Sequence, residues 1–235
     1  MYLTSIIKQS FHFQKNQLKV LLVLCFLCFP ISGHSQESEL GNWLLYFGNM
    51  KINNDWNWHN EVQYRSYNAI SDLEQLLLRT GIGYNLTENN NNILLGYGYI
   101  LSQNYIEGVD DKLDVHEHRI YQQFITRHKI GIVAVQHRYR FEQRFVEADF
   151  RLRFRYFLSL NIPLNNKVII DKTVYLSAYN EIFLNTEGNI FDRDRLYGGV
   201  GYRLSKTVRL EIGYMNQFLP NTSRDQINII SFINF

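Results

Sequence analysis

Apolar and polar residues alternate with period two along most of the chain. From Phe150 to Ile162 the residues Phe150, Leu152, Phe154, Tyr156, Leu158, Leu160 and Ile162 alternate with Arg151, Arg153, Arg155, Phe157, Ser159 and Asn161. On a helix those arginines would scatter around the cylinder. On a strand they line one face, with the apolar and aromatic residues on the other. From Ile130 to Phe145 the polar positions are Gln136, Arg138, Arg140, Glu142 and Arg144, opposed by Val133, Val135, His137, Tyr139, Phe141, Gln143 and Phe145. Trp56, Trp58, Val62 and Tyr64 oppose Asn57, His59, Glu61, Gln63 and Arg65. Leu76, Leu78, Ile82 and Tyr84 oppose Gln75, Arg79, Gly81 and Gly83. Later, Val174, Leu176, Ala178 and Ile182 oppose Tyr175, Ser177, Tyr179 and Glu181. Val208, Leu210, Ile212 and Tyr214 oppose Arg209, Glu211, Gly213 and Gln217.

Eleven such segments can be marked, beginning with Trp43 to Ile52. Short connections are expected near Asn53-Asn54-Asp55, Glu88 to Asn92, His128-Lys129, Asn165-Asn166 and Ser205-Lys206. Longer ones are expected near Ile70 to Leu73, Ser102 to Asp114, Val146 to Asp149, Asn185 to Asp192 and Leu219 to Asp225. Alternating short turns and long loops is the pattern of an up-and-down transmembrane barrel. The predicted fold is therefore all-β: an antiparallel barrel of about 10–12 strands. Single-chain bacterial barrels usually have an even strand number. The first segment thus calls either for an unseen twelfth strand or for a place outside a ten-stranded wall, as a plug.

The N-terminus breaks the period. Lys15 and Lys19 precede the apolar run Val20 to Phe29, and Pro30 and Gly33-His34-Ser35 follow. That order of charge, apolar run and small residues is a secretory signal peptide. The run is too short for a spanning helix, which needs about 20 residues. Residues 1–35 are read as a signal peptide cleaved near Ser35, and residues 36–235 as the barrel domain. Its removal takes Lys8, Lys15, Lys19 and both cysteines, leaving 21 basic and 22 acidic side chains, net −1. A cysteine-free exported chain has no disulfide framework. The basic balance that would favour nucleic acid is lost with the signal.

Composition decides which face is which. The chain holds 16 Tyr, 16 Phe and 3 Trp but only 3 Pro, which suits long, uninterrupted strands. In a soluble barrel or sandwich the apolar face points inward and the arginine rows meet water. Aromatics near strand ends (Trp56, Trp58, Tyr84, Tyr97, Tyr99, Tyr202, Tyr214) instead suit interfacial girdles. The polar rows carry charges of both signs, as a packed lumen requires. The arginine row of Arg151, Arg153 and Arg155 needs acids beside it, with Glu142 and Glu181 the candidates. Phe235 ends the last alternating segment on its apolar side. This placement resembles the terminal signal read by the barrel-assembly machinery.

Several motifs resemble the family catalogued as domain of unknown function 2490, uncharacterised outer-membrane barrel proteins of Gram-negative bacteria. They are Glu61-Val62-Gln63-Tyr64-Arg65, Gln75 to Gly81, His118 to Gln123, His137 to Arg144, Tyr179 to Phe183 and Gly213 to Gln217. The resemblance implies compartment and fold. It brings no catalytic residues.

The candidate functional residues are the inward polar ones: Glu61, Arg65, Arg79, Glu117, Arg119, Arg138, Arg140, Glu142, Arg144, Arg151, Arg153, Arg155, Glu181, Arg195, Arg203, Arg209 and Glu211. They either fill the interior with ion pairs or line a narrow pore that favours small anions. Other chemistry is weaker. His116 and His118 share a strand face, but Glu117 takes the other, so only two metal ligands converge. A lipid hydrolase would need outward Ser66, His118, His137 or Asn180 to meet. With the turn at His128-Lys129, His118 falls near Arg140, away from any serine. Loop acids Asp110, Asp111 and Asp114 lack the spacing of a calcium loop. The expectation is a protein without cofactor or enzymatic constellation, lodged in outer-membrane lipid, structural or narrowly conducting. Recognition through the loops is the alternative.

Overall fold

The computed structural model describes residues 40–68, 70–87 and 90–235. The expected signal peptide, residues 1–35, lies outside the described residues.

The described residues form eleven strands and no helix: β1 (Gly41–Lys51), β2 (Trp56–Ser66), β3 (Leu73–Thr87), β4 (Asn91–Tyr105), β5 (Lys112–Ile130), β6 (Val133–Val146), β7 (Asp149–Pro163), β8 (Thr173–Asn185), β9 (Phe191–Arg203), β10 (Val208–Phe218) and β11 (Ser223–Asn234). Each strand pairs antiparallel with its chain neighbours, and β1 pairs with β11 to close the barrel. An odd number of alternating strands leaves the first and last pointing the same way, so the closing pair is parallel. Neither expectation for the first segment holds. The wall closes without a twelfth strand, and β1 is part of it. The register keeps side-chain parity through the seam. Trp43 lies beside Asn228, Leu45 beside Ile230 and Phe47 beside Phe232, all on the inner face. The terminal residue extends the seam: the Phe235 N–H donates to the Asn49 carbonyl, and the Lys51 N–H donates to the Phe235 carbonyl.

Loop lengths depart from the expected alternation. The strands β6 and β7 are joined by 147–148 alone, whereas 164–172 joins β7 to β8. Most of Ser102 to Asp114 is strand, leaving 106–111 as loop. Loop length therefore does not assign the two ends of the barrel. The turn expected at His128-Lys129 lies instead at Gly131-Ile132, because Gly131 takes φ +60° and a glycine does so without steric cost. The pairing slides accordingly. His118 faces Phe145, and Arg140 faces Gln123.

Parity separates the two faces. Leu95, Ile212, Leu196, Phe154 and Ile229 are exposed on the outer wall, while Glu142, Glu61 and Tyr121 are buried within. Inner-row glycines make room for large rings. A Cβ at Gly201 would overlap the ring of Tyr175, and one at Gly96 the ring of Tyr121.

Candidate functional site

The interior is organised around five glutamates, and strand register explains most of the pairing. Glu61 sits directly opposite Arg79 across β2 and β3, and accepts a hydrogen bond from Arg79 at 2.6 Å. Gln63 donates to the same carboxylate, and His59 lies 3.5 Å from it. Across β5 and β6, Arg119 faces Arg144, two like charges side by side. Glu117, one inner position away on β5, accepts from both: from Arg119 at 2.6 and 2.7 Å, and from Arg144 at 2.5 and 3.0 Å. Arg140 faces Arg155 across β6 and β7. There Glu142 accepts from Arg155 at 2.7 Å and from Arg153 at 2.7 and 3.0 Å. Glu181 accepts from the other edge of Arg155 at 2.6 Å and from Arg138 at 2.7 Å. Arg155 thus bridges two carboxylates. Glu142 and Glu181 stand beside Arg153 and Arg155 of the arginine row, with Asp192 also on Arg153 at 2.8 Å, while Arg151 pairs elsewhere. Such two-pronged guanidinium–carboxylate bonds are the strong class.

The fifth glutamate, Glu211, accepts from the Tyr175 hydroxyl at 2.8 Å and lies 3.7 Å from Arg209. Aromatic faces take up more of the positive charge. Arg140 lies 4.4 Å from the Tyr121 ring centre, and Arg155 lies 4.3 Å from that of Phe183.

Twelve of the seventeen candidates are buried: Glu61, Arg65, Arg79, Glu117, Arg119, Arg140, Glu142, Arg153, Arg155, Glu181, Arg195 and Glu211. Arg138 and Arg144 are nearly so, and Arg203 and Arg209 are partly exposed. Arg151 differs. It lies just after the 147–148 turn, is largely exposed, and pairs with Asp149 at the rim. Sequence reasoning missed an apolar sector on the same inner face. Trp43, Leu45, Tyr197, Met215 and Ile230 form a buried cluster, flanked by Phe47, Tyr179 and Phe232. Gly199 on the same strand and Gly213 on β10 signalled room for such a ring: Tyr197 lies against both.

The hydrolase candidates are not brought together. The Ser66 hydroxyl is buried and donates to the Ile70 carbonyl. His118 pairs with Tyr97, His137 with Tyr156, and Asn180 with Asp194. His116 is engaged by Tyr99 at 2.8 Å. Among the described residues no group of three or more His, Cys, Asp or Glu is placed to hold a metal ion.

A family model described as protein of unknown function (DUF2490) matches residues 40–228, nearly the whole barrel. The chain belongs to the DUF2490 family. An uncharacterized protein of Methylorubrum extorquens is similar, 32% identical over 166 residues, covering 67% of this chain and 69% of that protein. No solved structure matches the chain significantly. The DUF2490 motifs map onto the charged interior: Glu61 and Arg65 on β2, Arg79 on β3, Arg119 on β5, Arg138 to Arg144 on β6 and Glu181 on β8.

Proposed function

We propose that this DUF2490 protein is an integral outer-membrane barrel whose interior is sealed by its own ion pairs, serving a structural role in the envelope. The observation that carries the proposal is the inversion of the two faces. The outer wall exposes Leu95, Ile212, Val200, Ile229 and Phe154, while Glu142, Glu61, Arg153 and Arg140 have almost no accessible surface. A belt of that kind in water would be an apolar patch far beyond the few hundred Å² that soluble monomers show. Lipid tails satisfy it, and the closed ladder leaves no strand edge in the hydrocarbon. Export through the N-terminal signal and recognition of the β11–Phe235 strand by the barrel-assembly machinery belong to the same reading.

The buried middle of the barrel argues for a plug rather than a pore. The burial of Glu142, Glu61, Arg153 and Arg140 supports an interior too crowded for a hydrated ion. In planar bilayers the inserted protein is expected to leave the membrane at baseline conductance. Membrane insertion is checked by heat-modifiable migration of the outer-membrane fraction. Steady single-channel openings of the folded wild type would contradict the sealed reading.

A second reading, a gated narrow path for anions, draws support from charge. The interior buries seven arginines (Arg65, Arg79, Arg119, Arg140, Arg153, Arg155, Arg195) against five glutamates. Recognition through the loops would have to use short connections, the longest being 164–172.

A further inference from the structure

Positive charge in the interior is not evenly paired. Arg155 is held by two carboxylates, but Arg65 is held by none. Its two terminal nitrogens donate to neutral acceptors, the Oε1 atoms of Gln75 and Gln63, each at 2.6 Å, and its Nε has no partner. The guanidinium lies 3.8 Å from the Trp43 ring centre, and Arg195 lies 4.9 Å from the same centre. Arg195 donates to Gln217 at 2.8 Å. Its nearest carboxylate, Glu181 at 3.8 Å, is already shared with Arg155 and Arg138. Two buried cations therefore share one indole without a carboxylate in hydrogen-bond contact.

Several polar groups on the neighbouring strands are also unpartnered. The Trp43 Nε1–H is buried without a partner. Gln226, on the strand beside Trp43, is fully buried, with both amide atoms unpartnered. Gln226 and Arg224 meet beside Gly41, where a Cβ would stand 3.0 Å from the Ser66 carbonyl, 3.1 Å from Gln226 Oε1 and 3.2 Å from the unpartnered Nη2 of Arg224. The unpartnered N–H groups of Trp43, Arg65, Gln226 and Arg224 thus lie on β1 and the two strands paired with it, β2 and β11, where the unpartnered acceptors are Gln226 Oε1 and Asn228 Oδ1, with Glu74 Oε2 on β3. Burying such groups unmatched is costly, and an anion with several oxygens would satisfy them together.

We infer that the Arg65–Trp43–Arg195 cluster, with Gln226, is a binding site for a small oxyanion of the phosphate or carboxylate class. Access runs through the mouth where Arg224 stands. Arg224 is held to Glu74 at 2.6 Å and lies 4.7 Å from the Tyr67 ring centre. Tyr67 packs against Tyr105 in a tilted pair, ring centres 5.2 Å apart. Releasing the Glu74–Arg224 pair frees one more guanidinium for the incoming anion and uncovers the cluster. The inference deepens the anion reading above. It is tested in detergent, so that a failure here is distinct from a failure of membrane insertion or sealing.

The experiment uses the full chain refolded in neutral detergent, with Trp56→Phe and Trp58→Phe so that Trp43 alone reports. Inorganic phosphate is titrated against a chloride control of equal ionic strength. A phosphatidic-acid mixed micelle forms a second arm. A saturable Trp43 emission change with free phosphate supports the site. A change only with the lipid supports it, with a headgroup as the source. Arg65→Gln and Arg195→Gln should each weaken binding about tenfold or more, as loss of a bond to a charged group does. Arg65→Lys keeps the charge without the fork and should also weaken it. Glu74→Gln should strengthen it. No saturable response in the wild type and in Glu74→Gln, with strand circular dichroism intact, would overturn the inference. So would a response equal to that of chloride, or one unchanged in the folded arginine variants.

Discussion

Glu142 shows how a single residue can hold the interior together. It accepts from Arg153 and Arg155, and Arg140 stands 3.7 Å away. Removing one partner of a buried pair leaves uncompensated charge and costs about 3–5 kcal/mol. Glu142→Gln should lower unfolding stability by that order in urea titrations of the micelle-bound barrel. Arg151→Gln should change it by about 1 kcal/mol or less, because the Arg151–Asp149 pair is exposed and screened. Equal effects of the two variants would contradict the assignment of Glu142 as a hub. At the mouth, Asp72 accepts from Lys112, and from Tyr105 at 2.8 Å. Burial works to raise its carboxyl, but the bonds from Lys112 and Tyr105 and the charges of Lys112 and Arg224 prevail, holding it below the usual carboxylate range. A depressed carboxyl stabilises the fold above its unfolded value, and that contribution fades as pH falls through the lower folded one. Protection of the Tyr67 and Asp72 amides against exchange should therefore fall below about pH 4, and Asp72→Asn should remove that pH dependence.

The elements were legible where a period could be read and obscure where geometry departs from it. All eleven strands follow from alternation, because a two-residue period puts every side chain on a definite face. The inward positions on β5 to β8 could be listed from that parity alone. Three features could not. The turn at Gly131 was hidden because His128 and Lys129 look like a polar break, although they continue the strand. The inner aromatic sector was hidden because Trp43 and Tyr197 resemble outward rings, although Gly199 and Gly213 leave room for Tyr197. The parallel seam was hidden because alternation along one strand says nothing about which strand closes the barrel. The seam can be tested by cross-linking. With Cys25 and Cys28 removed, Leu44→Cys and Ile229→Cys are direct partners on the outer face of the β1–β11 pair. They should oxidise readily to a disulfide, while Leu44→Cys with Ile233→Cys should not. Non-reducing electrophoresis after proteolysis between the two sites distinguishes these outcomes. Failure of the first pair to link would place β1 elsewhere.

For the whole molecule, the two faces of one ladder do opposite work. Closure satisfies the backbone around the full circumference. The outer rows present apolar side chains, and the inner rows neutralise much of their own charge and fill the space. Arg65 and Arg195, without a carboxylate in hydrogen-bond contact, both lie against Trp43, and on the proposed reading the wall is sealed at mid-depth and receptive at one end. All of this depends on the outer wall facing lipid. The most direct test is collision accessibility of spin labels in lipid vesicles, at Leu95, Ile120 and Ile212 on the outer wall and at Asp110 in a loop. The three wall labels should be accessible to oxygen and shielded from a water-soluble nickel chelate, with the loop label showing the reverse. Wall labels as open to the nickel chelate as the loop label, on a correctly folded barrel, would contradict the account.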